Sequence, residues 1–200
     1  VIVISLRRLW LLIIALAIVL CVLYVLQSKW FWKIFYPWPY RSEITQVANQ
    51  LEIDPYLLAA LVRVESGFNA NAESAAGARG LMQVMPETAS WTAKQIGIQD
   101  FHESQLYQPG VNLLIGSWYL ANLFKDFHGN QVTGLAAYNA GRGNVQAWLE
   151  IGLWKGTMAD VDRIPFPETQ LYLRAVMRNY EIYKFLYADP AQHSAQATRH

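Results

Sequence analysis

Eighteen consecutive apolar residues, Leu9 to Leu26, contain no charge and set the first constraint on what this chain can fold into. At 1.5 Å per residue a helix over the run is about 27 Å long, close to the hydrocarbon thickness of a bilayer. Arg7 and Arg8 precede it. Lys29, Trp30, Phe31, Trp32, Lys33, Phe35, Tyr36, Trp38 and Tyr40 follow, a mixture of aromatic rings and cations suited to the headgroup level. A cleaved signal peptide needs a shorter apolar core and a small-x-small site, which the residues after Leu26 do not supply. Cys21 follows Leu20 rather than a small residue, and the apolar run continues past it, so a lipoprotein processing site is disfavoured. An uncleaved transmembrane anchor is expected at 1–28, with an aromatic juxtamembrane segment at 29–40. Arg7 and Arg8 on one side are matched by Lys29, Lys33 and Arg41 on the other, so charge asymmetry leaves the orientation open.

The remaining length suits one domain with a sizeable core. A net charge of +1 and the lack of any Lys/Arg-rich block give no footing for nucleic acid. Cys21, the single cysteine, excludes an internal disulfide and a cysteine-based metal site. His102, His128, His193 and His200 show no ligand spacing, so neither a metal nor another cofactor is expected. Eight Trp and eleven Tyr supply either core material or flat faces on which sugar rings stack.

From Ser42 onward the pattern is helical. Ile44, Val47, Ala48 and Leu51 repeat at i, i+3, i+4 and i+7. Asn69 to Gly80 reads as a loop. Pro86, Pro109 and Pro167 open further helices, the second reaching about Asp126 and the third about Tyr187. Val132 to Ala140 reads as a short helix stopped by Gly141. In the last helix Leu171, Ala175, Val176, Ile182 and Leu186 are expected inward. The fold class is mainly α, with any sheet confined to a minor hairpin, the folded domain at 41–187 and a disordered tail at 188–200.

Glu65 is the residue with chemistry. Asp54 is a good N-cap, Pro55 suits the first turn, and Gly67 a stop. On that helix Leu58, Leu61 and Glu65 share a face. Burial and the negative end of the helix dipole both disfavour the carboxylate anion, as a general acid working near neutral pH requires. The plain alternative is a last-turn Glu rotated to solvent.

Three later segments bear on that choice: Ser74-Ala75-Ala76-Gly77-Ala78-Arg79-Gly80-Leu81-Met82-Gln83-Val84-Met85-Pro86, then Ala136-Ala137-Tyr138-Asn139-Ala140-Gly141, then Ile164-Pro165-Phe166-Pro167-Glu168-Thr169 with Tyr172 beyond. In this order, with Glu65-Ser66-Gly67, they resemble the catalytic domain of the soluble lytic transglycosylases over roughly Tyr40 to Tyr187. That resemblance implies a lysozyme-like helical fold related to goose-type lysozymes. It also implies a substrate, peptidoglycan glycan strands, cleaved between N-acetylmuramic acid and N-acetylglucosamine to leave a 1,6-anhydromuramic end. Position by position, Glu65 matches the single acid/base, while Ser74, Met82, Gln83, Tyr138 and Glu168 match residues lining the sugar cleft. Pro167 departs from commoner members and favours a helix start there.

Most glycosidases need two carboxylates. A substrate that supplies its own C6 hydroxyl as nucleophile needs one, and Glu65 then serves as acid and afterwards as base. Glu168, at a helix N-terminus where the dipole keeps it ionised, reads as a binding residue. Gln83 is read as a substrate contact, Met85 as core, and Trp91, Trp118, Trp148 and Trp154 as core rather than sugar platforms. Asn139 is expected to bond backbone groups, and Thr169 is unassigned. The competing functions are a muramidase-type hydrolase and an inactive peptidoglycan-binding scaffold. Because the implied substrate lies outside the cytoplasmic membrane, the resemblance places the domain in the periplasm or cell wall, single-pass, with the Arg7 side cytoplasmic. Protein partners in the envelope are not legible.

Overall fold

A computed structural model describes residues 6–188, which divide into two compact units after Pro37. The tail expected from 188 lies, beyond Ala188, outside the described residues.

The first unit holds α1 (Leu6–Gln27) and α2 (Lys29–Phe35). The stretch Leu9–Gln27 has a mean hydropathy of 3.1 and none of it is buried, so α1 is long and apolar enough to cross a bilayer. The helix breaks where the apolar run ends. The Ser28 hydroxyl donates to the Val25 carbonyl at 2.8 Å and accepts the Phe31 N–H at 3.3 Å, ending one helix and capping the next. The Trp32 indole donates to the Leu26 carbonyl at 2.7 Å across that break.

The second unit comprises α3 (Arg41–Gln50), α4 (Pro55–Ser66), α5 (Pro86–Gln95), α6 (Pro109–Asp126), α7 (Gln131–Ala140), α8 (Arg142–Glu150) and α9 (Pro167–Tyr187). Single 3-10 turns lie at Glu103–Tyr107 and Met158–Arg163. Among the described residues the extended structure is limited to antiparallel bridges of Arg79 with Glu73 and with Val84, the minor hairpin that was expected.

Core position follows from α4. Leu57, Leu58, Ala59, Ala60, Leu61 and Val62 are consecutive and all fully buried, so this helix has no polar face and must be enclosed. The long α9 supplies its largest contact, and α3 packs beside it. Asp54 fixes where α4 starts: one carboxylate oxygen accepts the Tyr56 N–H at 2.8 Å and the other accepts the Tyr180 hydroxyl of α9 at 2.8 Å. Gly67, at φ +59°, takes the left-handed conformation that ends α4. Trp38 and Tyr40, grouped by sequence with the juxtamembrane aromatics, pack against this core, with Trp38 ringed by Tyr56, Tyr183 and Tyr187.

Three expectations about packing are corrected. In α9, Val176 and Leu186 are buried as expected and Ala175 and Ile182 half-buried, but Leu171 is 68% exposed, and Tyr172, Leu173 and Tyr183 complete the inward face. Leu171 points outward because Tyr172 is the residue that meets the end of α4. Met85 and Trp91 were read as core, yet they are 40% and 43% exposed, while Trp148 and Trp154 are buried as expected. The helix α8 was not anticipated: Gly143 sits in its first turn, and only Val145 and Trp148 of its residues are buried.

Candidate active site

Glu65 lies in the last turn of α4 on the same face as Leu58 and Leu61, half-buried, and Tyr172 from α9 donates its hydroxyl to the Glu65 Oε1 at 2.9 Å. Burial raises the Glu65 pKa from an ordinary 4.5 to about 7, while the Tyr172 hydrogen bond pulls it the other way. Burial and the nearby Glu65 charge push the phenols of Tyr172 and Tyr138 well up, so both remain protonated donors. The carboxyl is thus half-protonated near neutrality and held in one direction.

Beside it, the loop 79–84 is fixed by side chains that grip its backbone. Ser66, next to Glu65, donates to the Leu81 carbonyl at 2.8 Å. Tyr138 of α7 donates to the Met82 carbonyl at 2.8 Å. Asn112 of α6 is fully buried and makes three bonds: Oδ1 accepts the Met82 N–H at 2.8 Å, and Nδ2 donates to the carbonyls of Arg79 at 2.8 Å and Leu106 at 2.9 Å. Gly80 lies against Asn112 and the Leu106 carbonyl so closely that a Cβ would collide with both.

The expected site residues fall in different places. The Ser74 oxygen accepts the Ala78 N–H at 3.0 Å and closes the turn before the loop. Gln83, with φ at +48°, donates through its amide to the carbonyls of Ala72 at 3.2 Å and Gly80 at 3.0 Å. It therefore clamps the loop through its amide nitrogen. Met82 is fully buried, its sulfur beside the Ser117 hydroxyl at 3.5 Å, and a Cβ on Gly116 would stand 2.7 Å from that sulfur. The side chain expected in the cleft is core, and Met82 reaches the site through its carbonyl; Met85 is the loop methionine open to solvent. Tyr138, expected to line the cleft, has its hydroxyl engaged as a donor to the Met82 carbonyl. Glu168 is exposed in the first turn of α9, one turn before Tyr172 and on the same face. Behind it the buried Thr169 donates to Asn139 Oδ1 at 2.7 Å, tying α9 to α7 through a side chain rather than the backbone group expected for Asn139.

Sequence reasoning passed over Ser66, Asn112 and the role of Tyr172. Asn112 did leave a signal, a polar residue in the inward register of an apolar helix, which demands partners when buried. Among the described residues no group of three or more His, Cys, Asp or Glu is placed to hold a metal.

Residues 42–159 match the family model described as "Transglycosylase SLT domain". The chain is 37% identical over 150 residues to the soluble lytic murein transglycosylase of Salmonella typhimurium, covering 74% of this chain and 23% of that protein. It is 34% identical over 119 residues to membrane-bound lytic murein transglycosylase C of Actinobacillus pleuropneumoniae, covering 53% of this chain and 32% of that protein. Among solved structures, the 70 kDa soluble lytic transglycosylase of Escherichia coli superposes with a TM-score of 0.74 at 33% identity, over 80% of this chain and 26% of that one. An inactive Glu-to-Gln mutant of the Pseudomonas aeruginosa lytic transglycosylase Slt superposes with a TM-score of 0.69 at 34% identity, over 76% of this chain and 25% of that one. The chain therefore spans about a quarter of the soluble proteins it matches and about a third of the membrane-bound one.

Two predictions follow from the geometry. Asn112→Ala leaves the Met82 N–H and the Leu106 carbonyl without this partner and takes one of two donors from the Arg79 carbonyl, which keeps the Val84 N–H, so urea denaturation of the full chain in detergent should show a loss of about 3 kcal/mol. Between pH 4.5 and about 7 the folded protein holds a proton on Glu65 that the unfolded chain has released, so stability falls as pH rises through that window and levels above it. Glu65→Gln removes this dependence. The variant should exceed its parent by up to about 3 kcal/mol near pH 8 and gain nothing below about pH 4.5, as denaturation at both pH values will show.

Proposed function

The chain belongs to the Transglycosylase SLT domain family, and we propose that it is a peptidoglycan lytic transglycosylase tethered to the cytoplasmic membrane. The observation that carries this reading is the state of Glu65. Its proton affinity is set by burial and by Tyr172, with no second carboxylate contributing among the described residues. That state supports one acid that later becomes the base over a pair of carboxylates dividing the two roles.

The protonated Glu65 gives its proton to the oxygen linking N-acetylmuramic acid to N-acetylglucosamine as the C1–O bond breaks. The N-acetylglucosamine side leaves with its hydroxyl restored. The acetamido oxygen of the muramic residue takes up the electron deficiency at C1. Tyr172 meanwhile stabilises the Glu65 carboxylate by its hydrogen bond. The muramic C6 hydroxyl then attacks C1, releases the acetamido oxygen, and returns a proton to Glu65. No water is consumed, and a 1,6-anhydro end results. A pKa near 7 suits both transfers, because neither protonation state is costly to reach.

Around this centre, Ser74, Gln83 and Glu168 border the path of the sugar, and Tyr138 offers its oxygen lone pairs to a sugar hydroxyl while its own O–H stays hydrogen-bonded to the Met82 carbonyl. The inactivity of the Glu-to-Gln mutant of a relative supports a reaction resting on one glutamate. The likeness to a membrane-bound relative and the exposed apolar surface of α1 support membrane association. With the substrate outside the cytoplasm, the Arg7 end is cytoplasmic and the domain faces the periplasm or wall.

Purified sacculi digested by the protein should release muropeptides one water lighter than hydrolysed ones by mass spectrometry. Glu65→Gln should lower the rate at least about 100-fold. Products carrying the extra water would establish a muramidase instead, and sacculus binding without release would establish a scaffold. For topology, an oxidation-dependent reporter fused after Tyr187 should be active. A fusion active only when its reporter requires the cytoplasm would reverse the orientation.

A further inference from the structure

Four aromatic rings in contact lead away from the catalytic centre. Tyr138 lies 5.7 Å, centroid to centroid, from Tyr119 of α6. Tyr119 meets Trp91 of α5 edge-on at 6.4 Å, and Trp91 meets Trp118 of α6 at 5.8 Å. Tyr119 and Trp118 are half-buried, while Trp91 is 43% exposed. Beside them, Trp118 forms one wall of a cavity of about 240 Å³ whose polar lining comes from Gln50, Glu52, Asn122 and Lys125.

Indole rings kept for packing are enclosed here, as Trp148 and Trp154 show. Trp91 and Trp118 are instead partly open to solvent and in contact with each other, and Trp118 borders two amides, a carboxylate and an ammonium group. An aromatic wall with a few hydrogen-bonding groups of mixed charge is the chemistry that recognises a saccharide, whose rings carry an apolar C–H face and a polar rim. A docked apolar helix would call for an apolar lining, and a nucleic acid for an excess of cations. Continuity with Tyr138 identifies which saccharide is at hand: the strand that occupies the catalytic cleft.

We infer that Trp91, Trp118 and this cavity form an accessory glycan-binding site, holding sugar units of the strand beyond those seated at Glu65. The inference rests on the peptidoglycan reading of the cleft and adds a second point of attachment. Two linked attachments strengthen the binding of strands long enough to reach both and add little for short ones.

Isothermal titration calorimetry on the full chain in detergent tests it, with Glu65→Gln as the parent so that no ligand is consumed. The ligands are peptide-free glycan strands and a peptidoglycan tetrasaccharide, and the added changes are Trp91→Ala and Trp91→Phe. Trp91→Ala should weaken strand binding roughly tenfold and tetrasaccharide binding less than about threefold, with Trp91→Phe restoring most of the difference. No loss on strands overturns the inference. So does an equal loss on both lengths, which would mean that Trp91 acts on the catalytic cleft through Tyr119. Matching melting temperatures of the three proteins exclude misfolding as the cause of a loss. Failure of the lytic reading is visible separately, as wild-type protein that releases no product while Trp91-dependent strand binding persists.

Discussion

The enclosure of α4 by α9 is the constraint from which the rest of the domain follows. A helix whose middle six residues are all buried has no solvent side to offer, so its polar end must be accommodated wherever the helix stops. The stop is Gly67, and the last inward-facing side chain before it is Glu65. Once α9 lies along α4, Tyr172 is the group that the carboxyl meets, at 2.9 Å. One hydrogen bond does not compensate for the water lost, and the proton affinity rises accordingly. The same packing that stabilises the domain thereby sets the acid.

The loop that faces Glu65 is shaped by a different device. Its backbone groups are satisfied by side chains from three helices: Ser66 on α4, Asn112 on α6 and Tyr138 on α7. The Arg79–Val84 backbone pair closes only the base of the loop, so these side chains hold the residues between. A side chain gripping a carbonyl has no need of repeating geometry, so strained positions such as Gln83 at φ +48° are tolerated. Met82 shows how the parts interlock. Its sulfur packs on Gly116, its N–H is held by Asn112, and its carbonyl accepts the Tyr138 hydrogen bond.

Helix ends were legible because they depend on local chemistry. The proline-led starts at Pro86, Pro109 and Pro167 and the Asp54 and Gly67 bounds of α4 all fall where the sequence places them. Glu65 was legible for a related reason, since its face is fixed by Leu58 and Leu61 on the same helix. What the chain does not announce is rotation between helices. Leu171 or Tyr172 facing inward is a choice of about 100° of turn, settled by α4 and not by α9's own pattern. The two methionines fail to separate for the same reason: Met82 is inward because a small residue, Gly116, receives it, and that partner is 34 residues away. Side-chain grips on backbone, as at Asn112 and Gln83, leave no periodic trace at all.

The hydrogen bond between Glu65 and Tyr172 closes a gap of 107 positions along the chain. Synthesis runs from the N-terminus, so α4 leaves the ribosome long before its main partner does. Until α9 follows, Glu65 remains an ordinary hydrated carboxylate, ionised at neutral pH and useless as a proton donor. The catalyst is therefore latent in every chain that has not yet reached α9, and the arrival of that helix arms it.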